Sequence, residues 1–309
     1  FALALWTLYL ELGRYPTEQI VGAVADISPG EVLLALGLLL LSYLMTAVSE
    51  HLAARYSGLR LSPTRAATAA LVAVGISNSV SFGLLTGGAL RHRLYGSWGV
   101  SAIGTTKILA FSRASHWLGY AAVAGTGLLL VPPQSLPLRE VGGFALPLLG
   151  AVLLLTGPLY VLAAHLLRGG VRLKNLKLQP PGLRLTVTQL LSAALDWFAG
   201  SAIVFVFLPP SPGGSYGIYM AAFAVAVLAG ALSQLPGGIV VFDSALIFLL
   251  SPIYSVPAVT GALILYRLIY FLLPLSLGLL ILLAREIYQE ESALRGLTYR
   301  FGKRVATVL

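Results

Sequence analysis

The 309-residue chain is strongly apolar, because 58% of its residues are hydrophobic and only 10% are charged. Soluble domains carry about 25% charged residues, so most of this surface must face lipid or other apolar segments. The net charge is +9, but the basic residues cluster in a few segments between apolar runs. That pattern is typical of membrane topology and contact with anionic lipid, and it argues against nucleic-acid binding. The absence of cysteine excludes disulfides, zinc–thiolate sites and cysteine nucleophiles.

Apolar segments recur along the whole chain. They lie at about 1–12, 30–54, 66–90, 101–131, 142–167, 184–208, 216–232, 234–251 and 257–284. Each exceeds a typical strand in length and is rich in Leu and Ala, so we predict helices. The first resembles the end of a longer span, and we expect the chain to be a fragment or a trimmed sequence. The fold class that follows is an all-α polytopic membrane helix bundle with about eight spanning elements.

Basic residues orient these segments. The 168–184 loop carries Lys and Arg residues and no acid, and the 51–65 segment and the tail at 285–309 are also rich in arginine. Cytoplasmic segments carry an excess of Lys and Arg, so we predict that all three lie on the cytoplasmic side of the membrane. The 11–31 and 209–215 segments are acidic or uncharged and suit the outside.

Two segments then begin and end on the same side of the membrane. Segment 66–90 would start and finish inside, with a turn near Asn78, and it suits a re-entrant hairpin better than two crossings. Segment 216–251 would start and finish outside, with a turn at Pro236, Gly237 and Gly238. A long span followed by a hairpin thus occurs twice. This predicts one transmembrane domain over 1–309, with inverted halves at about 30–131 and 184–284 around a substrate site.

Three charged residues stand inside apolar segments. Asp196 follows Thr188 in one predicted helix, Asp243 follows the Pro-Gly-Gly break, and Arg267 lies within the last span. A charge near the bilayer centre costs about 2.5–3.5 kcal/mol on insertion scales, so each needs an interior partner or water. Asp196 could instead pair with Arg184 or Lys177 at the interface, and Asp243 could cap a helix. For Arg267, the candidates are Asp243, Asp196 or a ligand phosphate.

Further candidates lie near the predicted cytoplasmic entrance. Gly87 and Gly88 would allow a close backbone approach, and Arg91, Arg93 and Arg113 could hold a lipid phosphate or serve only as topological charges. His116 lies one helical turn from Arg113 and could line the same entrance. Glu50 and His51 end a span and are interpreted as an interface pair.

No catalytic set is present in the sequence. There is no Ser-His-Asp order, no HExxH and no Walker A loop, and the four histidines are scattered singly. We therefore predict no catalytic residue, no metal and no cofactor for this chain.

The sequence resembles a known family in four blocks. Residues 85–96, Leu-Thr-Gly-Gly-Ala-Leu-Arg-His-Arg-Leu-Tyr-Gly, are similar to a signature in the transmembrane region of MprF, the bacterial multiple peptide resistance factor. Residues 195–197, 235–243 and 266–270 resemble three further blocks in the same order. The family pattern has glycine where this chain has Val240, and glutamate where it has Asp243.

The resemblance implies a flippase that moves lysylphosphatidylglycerol from the inner to the outer leaflet and so confers resistance to cationic antimicrobial peptides. The implied partners are this aminoacylated phospholipid, membrane lipids, and a synthase domain or a second copy of the chain. Arg91, Arg93, Arg113 and Arg267 would take the phosphate, and Asp196 and Asp243 the ammonium. The family's aminoacyl transferase domain is absent from these residues, so no aminoacyl transfer is expected. The alternatives are a non-transporting anchor that regulates a synthase, and a transporter of another anionic lipid such as a polyprenyl phosphate.

Overall fold

The computed structural model describes residues 17–80, 83–132, 137, 144–173, 176–178, 180–233, 235 and 238–287. In chain order the helices are α1 (Thr17–Ala25), α2 (Pro29–Tyr56), α3 (Pro63–Ala69), α4 (Gly75–Ser77), α5 (Gly83–Ser97), α6 (Ala102–Leu130), α7 (Ala145–Leu166), α8 (Leu183–Val206), α9 (Tyr216–Ser233), α10 (Val241–Leu250) and α11 (Val256–Ile287). The predicted apolar segment at 1–12 and most of the tail at 285–309 lie outside the described residues.

Five of these helices, namely α2, α7, α8, α9 and α11, are long and apolar enough to cross a membrane. The chain is therefore a helical membrane protein, as predicted. Helix α6 has 29 residues but carries Lys107 and Arg113, and it does not meet that standard. The count of eight spans and the re-entrant course of the two hairpins stay predictions.

Exposed leucines mark the surface that faces lipid. On α7 the residues Leu155, Leu159 and Leu162 are each more than half exposed, and only 6% of the most apolar window of that helix is buried. A helix that is apolar all round and poorly covered by protein needs lipid as its solvent.

Small residues bring the helices close together. A β-carbon at Gly125 of α6 would lie 2.8 Å from the carbonyl oxygen of Gly150 on α7, and one at Gly150 would lie 3.0 Å from the oxygen of Gly125. Such close backbone contact is the usual basis of helix association in membranes. Helix α2 packs mainly on α8, and α6 packs on α7, α8 and α9.

The segment predicted as the first hairpin is a broken helix. Between α3 and α4 the chain makes a π-helical turn (Ala70–Val74), and after α4 it turns at 78–80 before α5 begins. A second π-helical turn (Arg267–Leu272) lies within α11. The two regions touch, since a β-carbon at Gly75 would lie 2.8 Å from the Pro274 carbonyl oxygen. The Ser79 hydroxyl also donates a hydrogen bond to the Phe271 carbonyl at 3.4 Å.

The second predicted turn joins α9 to α10. Pro236 and Gly237 lie outside the described residues, but Gly238 and Val240 are described, and both have positive φ, 63° and 72°. Val240 combines this φ with a ψ of −59°. A β-branched residue rarely adopts such a backbone, so the turn is strained at the position where the MprF pattern has glycine.

Within the described ranges, the predicted basic loop at 168–184 holds the one departure from an all-α fold. Strands β1 (Val171–Leu173) and β2 (Leu176–Leu178) pair antiparallel, with Arg172 opposite Lys177. The sequence analysis expected no strand here, because a loop rich in basic residues carries no period-2 apolar pattern long enough to stand out.

Candidate functional site

A cavity of about 340 Å³ lies where the two broken segments meet. Ser77, Asn78 and Val80 line it from the first turn, and Leu235 and Gly238 line it from the second. Helices α6, α8, α9, α10 and α11 supply the remaining walls. The predicted turn residues Asn78 and Gly238 therefore border the same space, although they are 160 positions apart by their numbers.

Aromatic side chains form much of this wall. The aromatic lining residues are His116, Trp197, Phe223, Phe242, Tyr266, Tyr270 and Phe271. Tyr266 and Tyr270 stack at 5.1 Å between ring centroids, and the His116 ring lies 4.8 Å from Trp197. The face of an aromatic ring carries partial negative charge and attracts cations.

Asp196 lines this cavity from α8. The Ser42 hydroxyl on α2 donates to Asp196 Oδ1 at 2.5 Å, and Thr46 lies beside the same carboxylate. No Lys, Arg or His nitrogen among the described residues lies within 4.0 Å of it. The predicted alternative of an interface pair with Arg184 is not what the structure shows, and the side chain of Lys177 lies outside the described part of the chain.

A smaller cavity of about 70 Å³ adjoins the first and shares Ser77, Asn78, His116, Asp196 and Tyr270 with it. Its other lining residues are mostly polar and come from α2, α5, α6 and α8. They include Ser42, Thr46, Ser49, Glu50, Arg91, Ser112, Arg113 and Ser115. Arg113 and His116 thus line one space, as the sequence predicted. Within the described ranges no carboxylate lies within 4.0 Å of the Arg113 guanidinium.

Several polar atoms around these cavities lack partners. The hydroxyls of Tyr43 and Ser112 in the smaller cavity, and Nε1 of Trp197 in the larger, are buried and accept or donate no hydrogen bond to any described residue. Buried polar groups are normally satisfied by protein, water or ligand. These positions are therefore suited to water or to a polar ligand.

Arg91 is a member of a closed polar cluster. Its Nε donates to Glu50 Oε1 at 2.9 Å, its Nη2 contacts the same oxygen, and the Tyr95 hydroxyl donates to Glu50 Oε2 at 2.5 Å. All three side chains are at most 3% exposed. Gly87 permits this arrangement, because a β-carbon there would lie 3.3 Å from Arg91 Nη1 and 3.1 Å from Ser77 Cβ. Gly88 is buried one position further along α5.

The interpretation of Glu50 as an interface residue was wrong. Its carboxylate is 1% exposed and neutralises Arg91 in the interior. The signal that could have identified it is the spacing of Ser42, Thr46, Ser49 and Glu50, which places four polar residues on one face of an apolar helix.

Asp243 and Arg267 pair with each other, as one of the predicted alternatives had it. Arg267 Nη2 donates to Asp243 Oδ1 at 2.8 Å, and the two side chains are 9% and 8% exposed. The guanidinium lies over Phe271 and Phe242, 4.5 and 5.4 Å from the ring centroids. This pair joins α10 to the π-helical turn of α11, directly behind the aromatic wall of the larger cavity.

Arg93 lies outside both cavities. It is 65% exposed and pairs with Glu286 at 2.7 Å, while Arg285 donates to the Ser97 hydroxyl. These contacts fasten the end of α11 to the end of α5. The structure thus gathers Arg113 and Asp196 at the cavities, pairs Arg91, Asp243 and Arg267 internally, and leaves Arg93 on the surface.

Sequence comparison adds two relatives. The chain is 33% identical over 308 residues to the uncharacterized protein slr0712 of Synechocystis sp., covering 94% of this chain and 90% of that protein. The chain belongs to the slr0712 family. It is also 27% identical over 275 residues to the inner membrane protein YbhN of Escherichia coli, covering 87% of this chain and 84% of YbhN. No protein-family model matches.

The slr0712 relationship extends through the cavity-forming segments, since it covers nearly the whole chain. The similarity is therefore not confined to a short shared motif. Neither relative's name states a substrate.

Proposed function

We propose that the chain is a lipid flippase that moves aminoacylated (lysyl-) phosphatidylglycerol from the inner to the outer leaflet of a bacterial inner membrane. The observation that carries the proposal is the aromatic cavity at the two turns, with a carboxylate that no described cation neutralises. The resemblance to the MprF transmembrane region and the name of YbhN support the lipid and the membrane respectively.

The ammonium groups of the headgroup would bind to the carboxylate of Asp196. A carboxylate removed from water is costly unless a positive charge compensates it. The faces of Trp197 and Tyr270 border the same space and add cation–π attraction. An amine that enters the larger cavity would thus meet both kinds of contact.

The phosphate of the headgroup would bind to the guanidinium of Arg113. This guanidinium lines the smaller cavity, which shares Asp196 and His116 with the larger one. Guanidinium groups match phosphate oxygens in geometry and charge. Arg91 and Arg267 already neutralise Glu50 and Asp243 and hold helices together, so Arg113 is the cation left for the ligand among the described residues that line the cavities.

The acyl chains would stay in the bilayer while the headgroup crosses through the cavity. A volume of about 340 Å³ is within the range of small-molecule sites, which suits a headgroup but not a whole lipid. Delivery of a cationic lipid to the outer leaflet would weaken the negative surface potential that attracts cationic peptides.

Reconstitution tests this function. The purified chain is placed in phosphatidylglycerol vesicles that contain lysylphosphatidylglycerol, and amine accessibility at the outer surface is followed with a membrane-impermeant reagent. We expect exposure to accelerate at least tenfold over protein-free vesicles, to fall to the protein-free rate in Asp196→Asn, and to be unchanged in the surface control Arg93→Gln. Equal rates in wild type and protein-free vesicles would contradict the proposal.

The same assay addresses the two alternatives. A membrane anchor for a synthase predicts no movement of any lipid, yet the cavity and its polar lining favour a path over solid packing. A transporter of a purely anionic lipid predicts that a polyprenyl phosphate competes with lysylphosphatidylglycerol. The carboxylate of Asp196 disfavours such a ligand, because like charges repel in a low-dielectric site.

A further inference from the structure

Asp196 differs from the other buried carboxylates in what neutralises it. Glu50 pairs with Arg91, and Asp243 pairs with Arg267, but Asp196 contacts only hydroxyl groups among the described residues. Since the proposed substrate is mobile, the site must also exist without it. Something else must then compensate the carboxylate.

No described cation pairs directly with Asp196, because the Arg113 guanidinium lines the same smaller cavity but lies more than 4.0 Å from the carboxylate. The titratable and charged side chains around the two cavities are Tyr43 and Glu50 on α2, Arg91 on α5, Arg113 and His116 on α6, and Tyr266 and Tyr270 on α11. Glu50 and Arg91 cancel each other, and Asp243 on α10 is cancelled by Arg267. Helix α9 contributes no ionisable residue to the lining, and α7 contributes none.

We infer that Asp196 binds either a proton or the ammonium of the cationic headgroup, so that the chain exchanges one for the other. This inference rests on the proposed function. When the lipid amine enters, the carboxyl group loses its proton to water in the cavity and the anion pairs with the ammonium. When the lipid leaves, a proton returns to the carboxylate, and charge is balanced in both states.

The geometry favours a proton over a metal cation. Ser42 directs its hydroxyl hydrogen at Asp196 Oδ1, and Thr46 lies at the same carboxylate. These hydroxyl donors turn their hydrogens towards the carboxylate and stabilise the anion that pairs with an ammonium, whereas a hard metal cation needs about six oxygen ligands turned towards it. No group of three or more His, Cys, Asp or Glu side chains is found in the described part of the chain.

The position of Asp196 also suits exchange. It borders both cavities, and the hydroxyls of Ser42, Thr46, Ser49, Ser112 and Ser115 line the smaller one beside it. Hydroxyl side chains and water can pass a proton along such a lining. The substrate can therefore occupy the larger cavity while the proton leaves through the smaller.

Infrared difference spectroscopy of the full chain in detergent tests the exchange. A protonated carboxyl group has its own carbonyl-stretching band. The band is assigned to Asp196 if it shifts in heavy water and is lost in Asp196→Asn. We expect this band in the lipid-free protein at mildly acidic pH. Micelles of lysylphosphatidylglycerol should abolish it, and micelles of phosphatidylglycerol should leave it unchanged. Arg93→Gln, at the exposed pair, should behave as wild type.

The outcomes separate the two proposals. Binding of lysylphosphatidylglycerol that leaves the band intact overturns the exchange but leaves the flippase standing. A band that titrates while lysylphosphatidylglycerol does not bind, as measured by native mass spectrometry, overturns the lipid assignment and the exchange with it. If sodium ions alone abolish the band at constant pH, Asp196 exchanges its proton for a metal cation. That result overturns the exchange as stated.

Discussion

The polar clusters around Glu50 and Asp196 both include residues of α2, since Glu50 joins α2 to α5 and Asp196 joins α8 to α2, yet they differ in kind. Glu50 borders the smaller cavity but is only 1% exposed, and it receives hydrogen bonds from Arg91 and Tyr95 that neutralise it. Asp196 borders two cavities and is held by hydroxyls. A charge that is fully paired in the interior fixes the packing of its helices, whereas one left open to a cavity can bind something that comes and goes.

The largest expected effect is a loss of stability when the cluster of Glu50, Arg91 and Tyr95 is changed. Glu50→Gln leaves the Arg91 charge buried without its counter-ion, which costs about 3–5 kcal/mol. We expect a large drop in thermal stability in detergent, followed by the fluorescence of a thiol-independent dye or by light scattering. Arg93→Gln removes a pair that is 65% and 44% exposed, so it should cost less than about 1 kcal/mol.

A double substitution tests whether charge pairing explains the effect of Glu50→Gln. Glu50→Gln combined with Arg91→Met removes both charges, so it should recover a substantial part of the lost stability. If the double variant is as unstable as the single one, charge pairing is not the reason that the cluster matters.

The next effect concerns the pair behind the cavity. Asp243→Asn removes the counter-ion of Arg267, but the guanidinium keeps its place over Phe242 and Phe271. Cation–π attraction of about 0.5–2 kcal/mol offsets part of the loss, so we expect about 2–3 kcal/mol, less than for Glu50→Gln. Thermal unfolding of the two variants side by side checks the order, and a larger loss in Asp243→Asn reverses it.

The smallest effect is at the strained turn. Val240→Gly relieves a backbone strain of about 1–3 kcal/mol and costs roughly 1 kcal/mol in unfolded-state entropy. The net expectation is a gain of about 1 kcal/mol in stability. Val241→Gly, in the first turn of α10, is the matched control and should destabilise. A loss of stability in Val240→Gly would mean that the positive φ is not strained.

Much of the site followed from charge and helix breakers alone. Asp196, Asp243 and Arg267 stood out because each interrupts an apolar run, and the Pro-Gly-Gly and Ser-Asn-Ser stretches indicated the two turns. The pairing of Asp243 with Arg267 was one of several possibilities, because sequence spacing does not fix which helices touch. Position 240 was identified as a glycine position through the MprF resemblance, and its positive φ supplies the physical reason.

Other features could not be read from the chain. The π-helical turn at Ala70–Val74 consists of ordinary apolar residues, so no residue type marks its wider hydrogen-bond spacing in the sequence. The role of Glu50 was missed because it ends a run beside His51. The count of eight spans stays a prediction, since five described helices are long and apolar enough to cross a membrane and the shorter apolar segments form broken helices.

Lysylphosphatidylglycerol binding to Asp196→Asn tests the account most directly. The purified variant and wild type are compared by native mass spectrometry with lysylphosphatidylglycerol and phosphatidylglycerol, alongside their thermal stabilities. We expect Asp196→Asn to keep its stability within about 1 kcal/mol, since no described ion pair is broken, and to lose its preference for the lysyl lipid. A variant that still prefers lysylphosphatidylglycerol as wild type does, or that unfolds as readily as Glu50→Gln, would contradict the account.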